Sequence, residues 1–394
     1  MKLLVYSHAF APQVGGIETF VMSLAKGLTA PSGEHSVQRL EITVVTQTPD
    51  PNKNALSNPA FQVVRQPKVV ALWQLIRSTE TVLLAGPAIL PLLFALLLGK
   101  RAIVSHHGYQ SICPNGMHFQ FPLQQSCPGH FAAGRYLECV QCNVPQLKLT
   151  GSVKLLFLTH IRRFLAKLAD ANVAVSEHVS DRISLPHARV ICNGVPVVPA
   201  AALNTASSHL AGPPSFAYVG RLVTEKGVNV LIDAAGILKS RGCQFEVLII
   251  GDGPERQALE VQAASLQLAG FVRFLGFLFD ANLQKALHEV STIVMPSICE
   301  DAAPFLALEQ MIQSRLIIGS KIGGLAEELG DAGLTFPPGS APGLADRIQE
   351  VIGHPESITR LGRLARERVL QRYTFDRMLQ EYQGLLFSTL YDIR

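Results

Sequence analysis

Two cations five residues apart, Arg221 and Lys226, stand in the run Val219-Gly220-Arg221-Leu222-Val223-Thr224-Glu225-Lys226-Gly227, just after an apolar stretch that reads as a strand. At the carboxyl end of a strand such a pair can reach one diphosphate, Arg by a bidentate fork and Lys as a point charge. Two solvated surface cations are the plainer alternative. A second group is acidic: Pro296-Ser297-Ile298-Cys299-Glu300-Asp301 leads to Pro304, and Glu309 follows Asp301 by eight residues. If Pro304 opens a helix, Glu309 lies about one turn inside it and the other two acids lie at its mouth. Carboxylates so placed accept hydrogen bonds from sugar and ribose hydroxyls, whereas helix capping by Asp301 is the mundane reading.

Two glycine-rich turns accompany them. Gly15-Gly16 follows the first apolar run and opens an amphipathic pattern through Leu28, and Gly251 follows Leu248-Ile249-Ile250 in a Gly-Asp-Gly-Pro turn. Glycine lets backbone approach a ligand closely, and free amides at a helix start bind phosphate. Neither is the G-x-G-x-x-G dinucleotide fingerprint, and ordinary turn chemistry explains each alone. Cys113, Cys127, Cys139 and Cys142 fall within Ser111–Pro145, and Cys139-Val140-Gln141-Cys142 has the spacing of a metal knuckle. Four thiolates would close a structural zinc site; otherwise these are reduced thiols or a redox-labile pair.

These residues need elements to hold them. Strand-like runs at Lys2–Tyr6, Glu41–Thr46, Thr81–Leu84, Ala102–His106, Ala171–Val175 and Arg189–Cys192 alternate with helical patterns. A Pro-, Ala- and Ser-rich stretch follows, then a second series at Ser215–Val219, Phe245–Ile250, Val272–Leu275, Thr292–Met295 and Leu316–Ile318. Alternating strand and helix in two series predicts two parallel-sheet α/β domains with ligands at the carboxyl ends of their strands and in the cleft between the domains. The greasiest run, Val82–Leu98, is interrupted by Pro87 and Pro91 and reads as a buried strand and core helix, being too short to cross a bilayer.

Composition limits the function classes. The 394 residues are 48% hydrophobic and 16% charged, with a net charge of +4, which suits folded domains and excludes a dedicated nucleic-acid binder. Residues 1–198 carry 17 basic and 9 acidic side chains, so the first half is the one turned toward anionic partners. No acid separates Glu138 from Asp170, where Lys148, Lys154, Arg162, Arg163 and Lys167 interleave with Leu and Phe. This basic amphipathic helix reads either as a membrane-surface element or as a core helix with a solvated basic face. Seven cysteines, an odd number, and no signal-peptide run lead to the expectation of a cytoplasmic protein, peripheral at the inner membrane if the helix binds lipid.

Taken in order, the motifs resemble the retaining GT-B glycosyltransferases of family 4, or glycosyltransferase group 1. Gly323-Gly324-Leu325-Ala326-Glu327 resembles that family's G-G-x-x-E and Asn193-Gly194-Val195 its N-G-V. The resemblance covers nearly the whole chain and implies two Rossmann-like, doubly wound domains facing a central cleft. It places an acceptor-binding domain at 1–198, a linker at 199–214, a nucleotide-sugar-binding domain at 215–373, and a helix at 374–394 returning to the first domain. It implies that Arg221 and Lys226 bind the diphosphate of a UDP- or GDP-sugar, that Glu309 holds the ribose, and that Gly15, Gly16 and Gly251 lie at the donor. It matches His107, in Ser105-His106-His107-Gly108, to the family's active-site histidine, an ordinary loop histidine being the alternative. The family's acidic signature is Glu, seven residues, Glu; here Asp301 holds the first place with Glu300 beside it, so either supplies the acid. The implied activity is transfer of a sugar with retention, without a catalytic metal, to a glycan or lipid-linked acceptor. A sugar-nucleotide epimerase, a phosphorylase and a non-catalytic nucleotide-sugar-binding scaffold at the membrane are the competing readings.

Overall fold

The structure, a computed structural model, describes residues 1–30, 40–49, 60–202, 214–288 and 290–388. The strands in chain order are β1 (Lys2–Ser7), β2 (Glu41–Thr46), β3 (Gln62–Arg65), β4 (Thr81–Ala85), β5 (Arg101–His106), β6 (Phe119–Gln120), β7 (Gln125–Ser126), β8 (Ala171–Ala174), β9 (Ala188–Val190), β10 (Ser215–Val219), β11 (Glu246–Ile250), β12 (Val272–Gly276), β13 (Thr292–Met295), β14 (Leu316–Ser320) and β15 (Leu334–Phe336). The helices are α1 (Gly16–Thr29), α2 (Val69–Arg77), α3 (Ile89–Leu97), α4 (Tyr136–Lys167), α5 (Glu177–Ile183), α6 (Val228–Ser240), α7 (Arg256–Ser265), α8 (Asp280–Ala286), α9 (Phe305–Met311), α10 (Gly323–Leu329), α11 (Ala341–Gly353), α12 (Glu356–Arg372) and α13 (Phe375–Phe387). Much of the expected linker, 203–213, and the end of the expected last helix, 389–394, lie outside the described residues.

The chain divides into two compact units. The first comprises Met1–His118, Pro128–Asn193 and the chain from Asp376; the second comprises Phe119–Cys127 and Gly194–Phe375. Packing thus groups the short β6–β7 hairpin with the second unit, although the sequence reading carried the first domain without interruption to 198.

The first unit is built on a seven-stranded sheet in the order β3-β2-β1-β4-β5-β8-β9, parallel throughout. Its central strands are buried along their whole length, as in β4 (Thr-Val-Leu-Leu-Ala) and β8 (Ala-Asn-Val-Ala). That is why they read as continuous apolar runs: helices cover a parallel sheet on both faces. Leu4, Val82, Leu84 and Val104 pack with Leu72 and Ile76 of α2, Leu92 of α3 and Leu165 of α4 into one core. Val82–Leu98 resolves into β4 and α3, with Pro91 in the first turn of α3, where a missing N–H costs nothing. Among the described residues no helix is long and apolar enough to cross a membrane. Helix α13 belongs here too: Arg101 donates to the carbonyls of Leu385 (2.8 Å), Leu386 (3.0 Å) and Ser388 (3.0 Å), closing its carboxyl end.

The second unit has six parallel strands in the order β12-β11-β10-β13-β14-β15. The order doubles back between β10 and β13, the switch point at which doubly wound sheets open a crevice at their carboxyl ends. The chain enters this unit beside the place where it leaves: Val195 N donates to Tyr373 O and Phe375 N to Val195 O, both at 2.9 Å. The Asn-Gly-Val motif therefore sits against the Tyr373-Thr374 break between α12 and α13.

Candidate active site

The loops that follow β10 and β13 flank the switch point of the second unit, and they carry the charged residues singled out in the sequence. Backbone hydrogen bonds stitch them to their neighbours. Gly220 N donates to Ile250 O (3.0 Å), Leu222 N to Asp252 O (2.9 Å), Ile298 N to Glu225 O (3.0 Å) and Gly324 N to Asp301 O (2.7 Å). The motifs after β10, β11, β13 and β14 thus form one connected rim. Its glycines have a packing reason: a Cβ on Gly251, whose φ is +144°, would stand 1.8 Å from Gly220 O, and one on Gly324 would stand 1.9 Å from Ala302 O. Close approach of loop to loop accounts for Gly251 before any ligand is considered.

Lys226 Nζ meets Asp301 Oδ1 at 2.5 Å, and Ser297 Oγ donates to Asp301 Oδ2 at 2.7 Å. Burial alone would lower the Lys226 ammonium, but the charge and hydrogen bond of Asp301 outweigh it and hold the amine firmly protonated. Burial beside Asp301 pushes the Cys299 thiol up to about 12, so it remains a thiol. Arg221 is exposed on the same loop, and its carbonyl accepts from Tyr218 Oη at 2.7 Å. The buried Tyr218 phenol thus props the turn that presents Arg221, and burial raises its pKa. Glu300, by contrast, is 5% exposed, while Asp301 meets the lysine. Of the two adjacent acids, Asp301 is the one turned to the cationic loop. Pro304 immediately precedes α9, and Glu309 is solvent-accessible one turn inside that helix, with its carboxyl raised by the protein packed around it.

In the first unit, Gly15 caps α1 in extended backbone and Gly16 is its exposed first residue, so free amides do stand at this helix start. The two adjacent histidines after β5 separate cleanly. His106 is fully buried and its Nε2 meets Asn172 Oδ1 at 2.9 Å, with burial lowering its pKa to about 4. It is a core residue. His107 is partly exposed, its Nε2 lies 2.9 Å from Ser105 Oγ, and burial beside His106 lowers its pKa to about 3. Its ring packs on Phe20 of α1 at 4.3 Å between centroids.

The structure gives no support for the expected four-cysteine zinc site. Among the described residues no three His, Cys, Asp or Glu side chains are grouped to hold a metal ion. Cys113 donates to Asn115 Oδ1 at 2.9 Å and Cys142 accepts from Asn115 Nδ2 at 3.8 Å, while Cys127 packs with the second unit. Sequence reasoning also missed Ser297, Tyr218 and Ser105, whose hydroxyls touch Asp301, Arg221 and His107, and Tyr382, whose hydroxyl touches Ser105. Only Ser297 and Ser105 lay inside motifs already singled out.

Residues 213–354 match the family described as "Glycosyl transferases group 1". The glycogen synthase of Mycobacterium tuberculosis is 31% identical over 221 residues, 53% of this chain and 52% of its own, so the chain spans about half the length of this curated relative. Among solved structures, the sucrose-phosphate synthase of Thermosynechococcus elongatus covers 100% of both chains with a TM-score of 0.74 at 19% identity. Anabaena HepE, solved in complex with UDP and glucose, covers 99% of this chain and 100% of its own with a TM-score of 0.71 at 18% identity. At such identities the likeness carries the fold alone, and that fold is GT-B: two parallel-sheet α/β units, the second bearing a stretch that matches glycosyl transferases group 1.

Proposed function

We propose that the chain is a retaining glycosyltransferase of family 4 that moves a sugar from a nucleoside diphosphate donor to a glycan or lipid-linked acceptor in cell-surface polysaccharide or glycolipid synthesis. The observation that carries this reading is the pairing of Lys226 with Asp301 across the loops after β10 and β13, at the switch point of the second unit. Breaking the bond between sugar and diphosphate builds negative charge on the leaving phosphate and positive charge on the sugar ring. Lys226 and Arg221 supply fixed positive charge for the first, and preorganised charge of this kind is the largest expected source of rate enhancement. Asp301, held by Ser297, accepts from hydroxyls of the donor sugar, and Glu309 accepts from the ribose. The same reading assigns Gly15, Gly16 and Gly251 to donor binding and His107 to catalysis. Anabaena HepE holds UDP and glucose, which makes a UDP-sugar the first donor to try.

The proposed acceptor is carried on a lipid at an anionic membrane surface. Non-helical backbone at Lys148 divides α4 into two limbs, and along the second Leu149, Val153, Phe157 and Phe164, with Leu168 at its C-cap, are all exposed at spacings that share one side, with Lys154 and Lys167 exposed beside them. The opposite side holds the buried Ser152, Thr159 and Ala166, and Leu165 at the flank joins the core, while Arg163 donates to Ile183 O at 2.8 Å. The outward side is therefore apolar as well as basic.

The test is calorimetric binding of UDP, GDP and ADP, and of their common sugar conjugates, to wild type and to Arg221→Ala. The reading expects one nucleotide to be selected and its binding to be lost in the variant, with retained anomeric configuration in the product by NMR. Binding of none of them by the wild type would overturn it.

A further inference from the structure

Ser105, the penultimate residue of β5, is fully buried and touches two groups at the same distance: His107 Nε2 at 2.9 Å and Tyr382 Oη of α13 at 2.9 Å. Residues two apart on a strand share a side, which is why Ser105 and His107 meet while His106 points to the other side and reaches Asn172. Tyr382 is 1% exposed, and Phe20 closes the arrangement with ring centroids 4.3 Å from His107 and 5.6 Å from Tyr382.

A hydroxyl between two partners has one proton to give, so Ser105 donates to one and accepts from the other. The phenol decides which. Burial keeps Tyr382 protonated, and among the described residues its hydroxyl meets Ser105. If Ser105 donated toward the phenol, the phenolic proton would be buried without an acceptor, a costly state. We propose that Ser105 and Tyr382 are positioning residues for His107: Tyr382 donates to Ser105 Oγ, Ser105 donates to His107 Nε2, and the imidazole is thereby held with its proton on Nδ1. His106 next door takes the opposite tautomer. The Asn172 amide nitrogen donates to Ala166 O and Pro186 O, both at 2.9 Å, so its oxygen faces His106 and accepts from Nε2–H. The inference deepens the glycosyltransferase reading and rests on it only for the use of the Nδ1 proton, which is offered to an oxygen of the donor sugar.

The experiment is NMR of imidazole-15N-labelled protein, with His106→Gln used to assign the neighbour. Wild type is expected to show His106 as the Nε2–H tautomer and His107 as the Nδ1–H tautomer. Tyr382→Phe keeps the ring on Phe20 and removes the donor, and His107 should then become a tautomer mixture. Ser105→Ala should do the same, and Ser105→Thr, which keeps the hydroxyl, should restore the wild-type pattern. In turnover, Tyr382→Phe should lose roughly ten- to hundredfold in kcat with the donor nucleotide Kd unchanged. A proton on Nε2 of His107 in wild type, or on Nδ1 in both Tyr382→Phe and Ser105→Ala, would overturn the proposal. Failure of the wild type to bind any nucleotide would remove the glycosyltransferase reading instead, and the tautomer measurement would still decide the hydrogen-bond chain.

Discussion

Lys226 and Asp301 are 75 residues apart in sequence and 2.5 Å apart in space, on loops that leave two hydrogen-bonded neighbouring strands, β10 and β13. The lysine proposed to receive a diphosphate is thus already matched by a carboxylate, and an arriving phosphate has to compete with it.

Removing that competitor separates two effects. Asp301→Asn should tighten binding of the bare nucleoside diphosphate by roughly three- to tenfold, about 1 kcal/mol, because Lys226 keeps its charge and the like charge of Asp301 is gone. The same variant should lose the extra affinity conferred by the donor sugar, since a carboxylate that accepted its hydroxyls is missing. Calorimetry with the diphosphate and with its sugar conjugate checks both signs. Lys226→Ala should instead destabilise the fold by roughly 1–3 kcal/mol, more than Arg221→Ala, because it strands Asp301 with one partner fewer.

Glycine substitution should distinguish loop packing from simple backbone strain. Gly251→Ala puts a Cβ 1.8 Å from Gly220 O and is expected to cost roughly 2–4 kcal/mol. Gly86→Ala, at φ +102° with nothing within 4 Å of the new Cβ, should cost about 1 kcal/mol from backbone strain alone. Thermal unfolding of the two variants side by side reads the difference.

Acid should destabilise the protein through His106. Its pKa falls from 6.5 in the open chain to about 4 when buried, so between those values the unfolded chain binds a proton that the native state refuses. Stability is whole above about 6.5 and is lost as pH falls toward 4, by up to about 1.4 kcal/mol per pH unit for one such group. In His106→Gln an amide still donates to Asn172 but does not titrate. Denaturant unfolding of this variant across that window should show a shallower fall with pH than wild type.

Phe157 and Phe164 are 65% and 62% exposed, and replacing both with Glu should abolish any attachment through α4. Each buried Phe contributes roughly 1.5–3 kcal/mol, so partition onto anionic vesicles should drop at least about tenfold, with nucleotide affinity unchanged. Co-sedimentation with anionic and with neutral vesicles, at low and high salt, is the measurement. Equal pelleting of variant and wild type would remove α4 from the membrane reading.

The alternation of strand and helix was legible in the chain because burial on both faces writes itself as short apolar runs. Glu41–Thr46, Ser215–Val219 and Thr292–Met295 are found at their expected bounds. Short or half-exposed strands such as β3 and β15 left no such run and emerged only with the sheet. The cation loop, the acidic loop and their order were equally plain, since each is a contiguous run beside a strand. What the sequence alone left open were choices between neighbours: Glu300 or Asp301, His106 or His107. Adjacent residues on extended chain point to opposite sides, so a one-residue difference that composition cannot weigh decides which side chain meets the loop and which the core. Tertiary structure separates the neighbours in each pair by their contacts, setting Asp301 on Lys226 and His106 on Asn172. Spacing along the chain did not decide the cysteines either: among the described residues no three candidate ligands are grouped to hold a metal ion, because ligand geometry depends on where the folded backbone carries each sulfur.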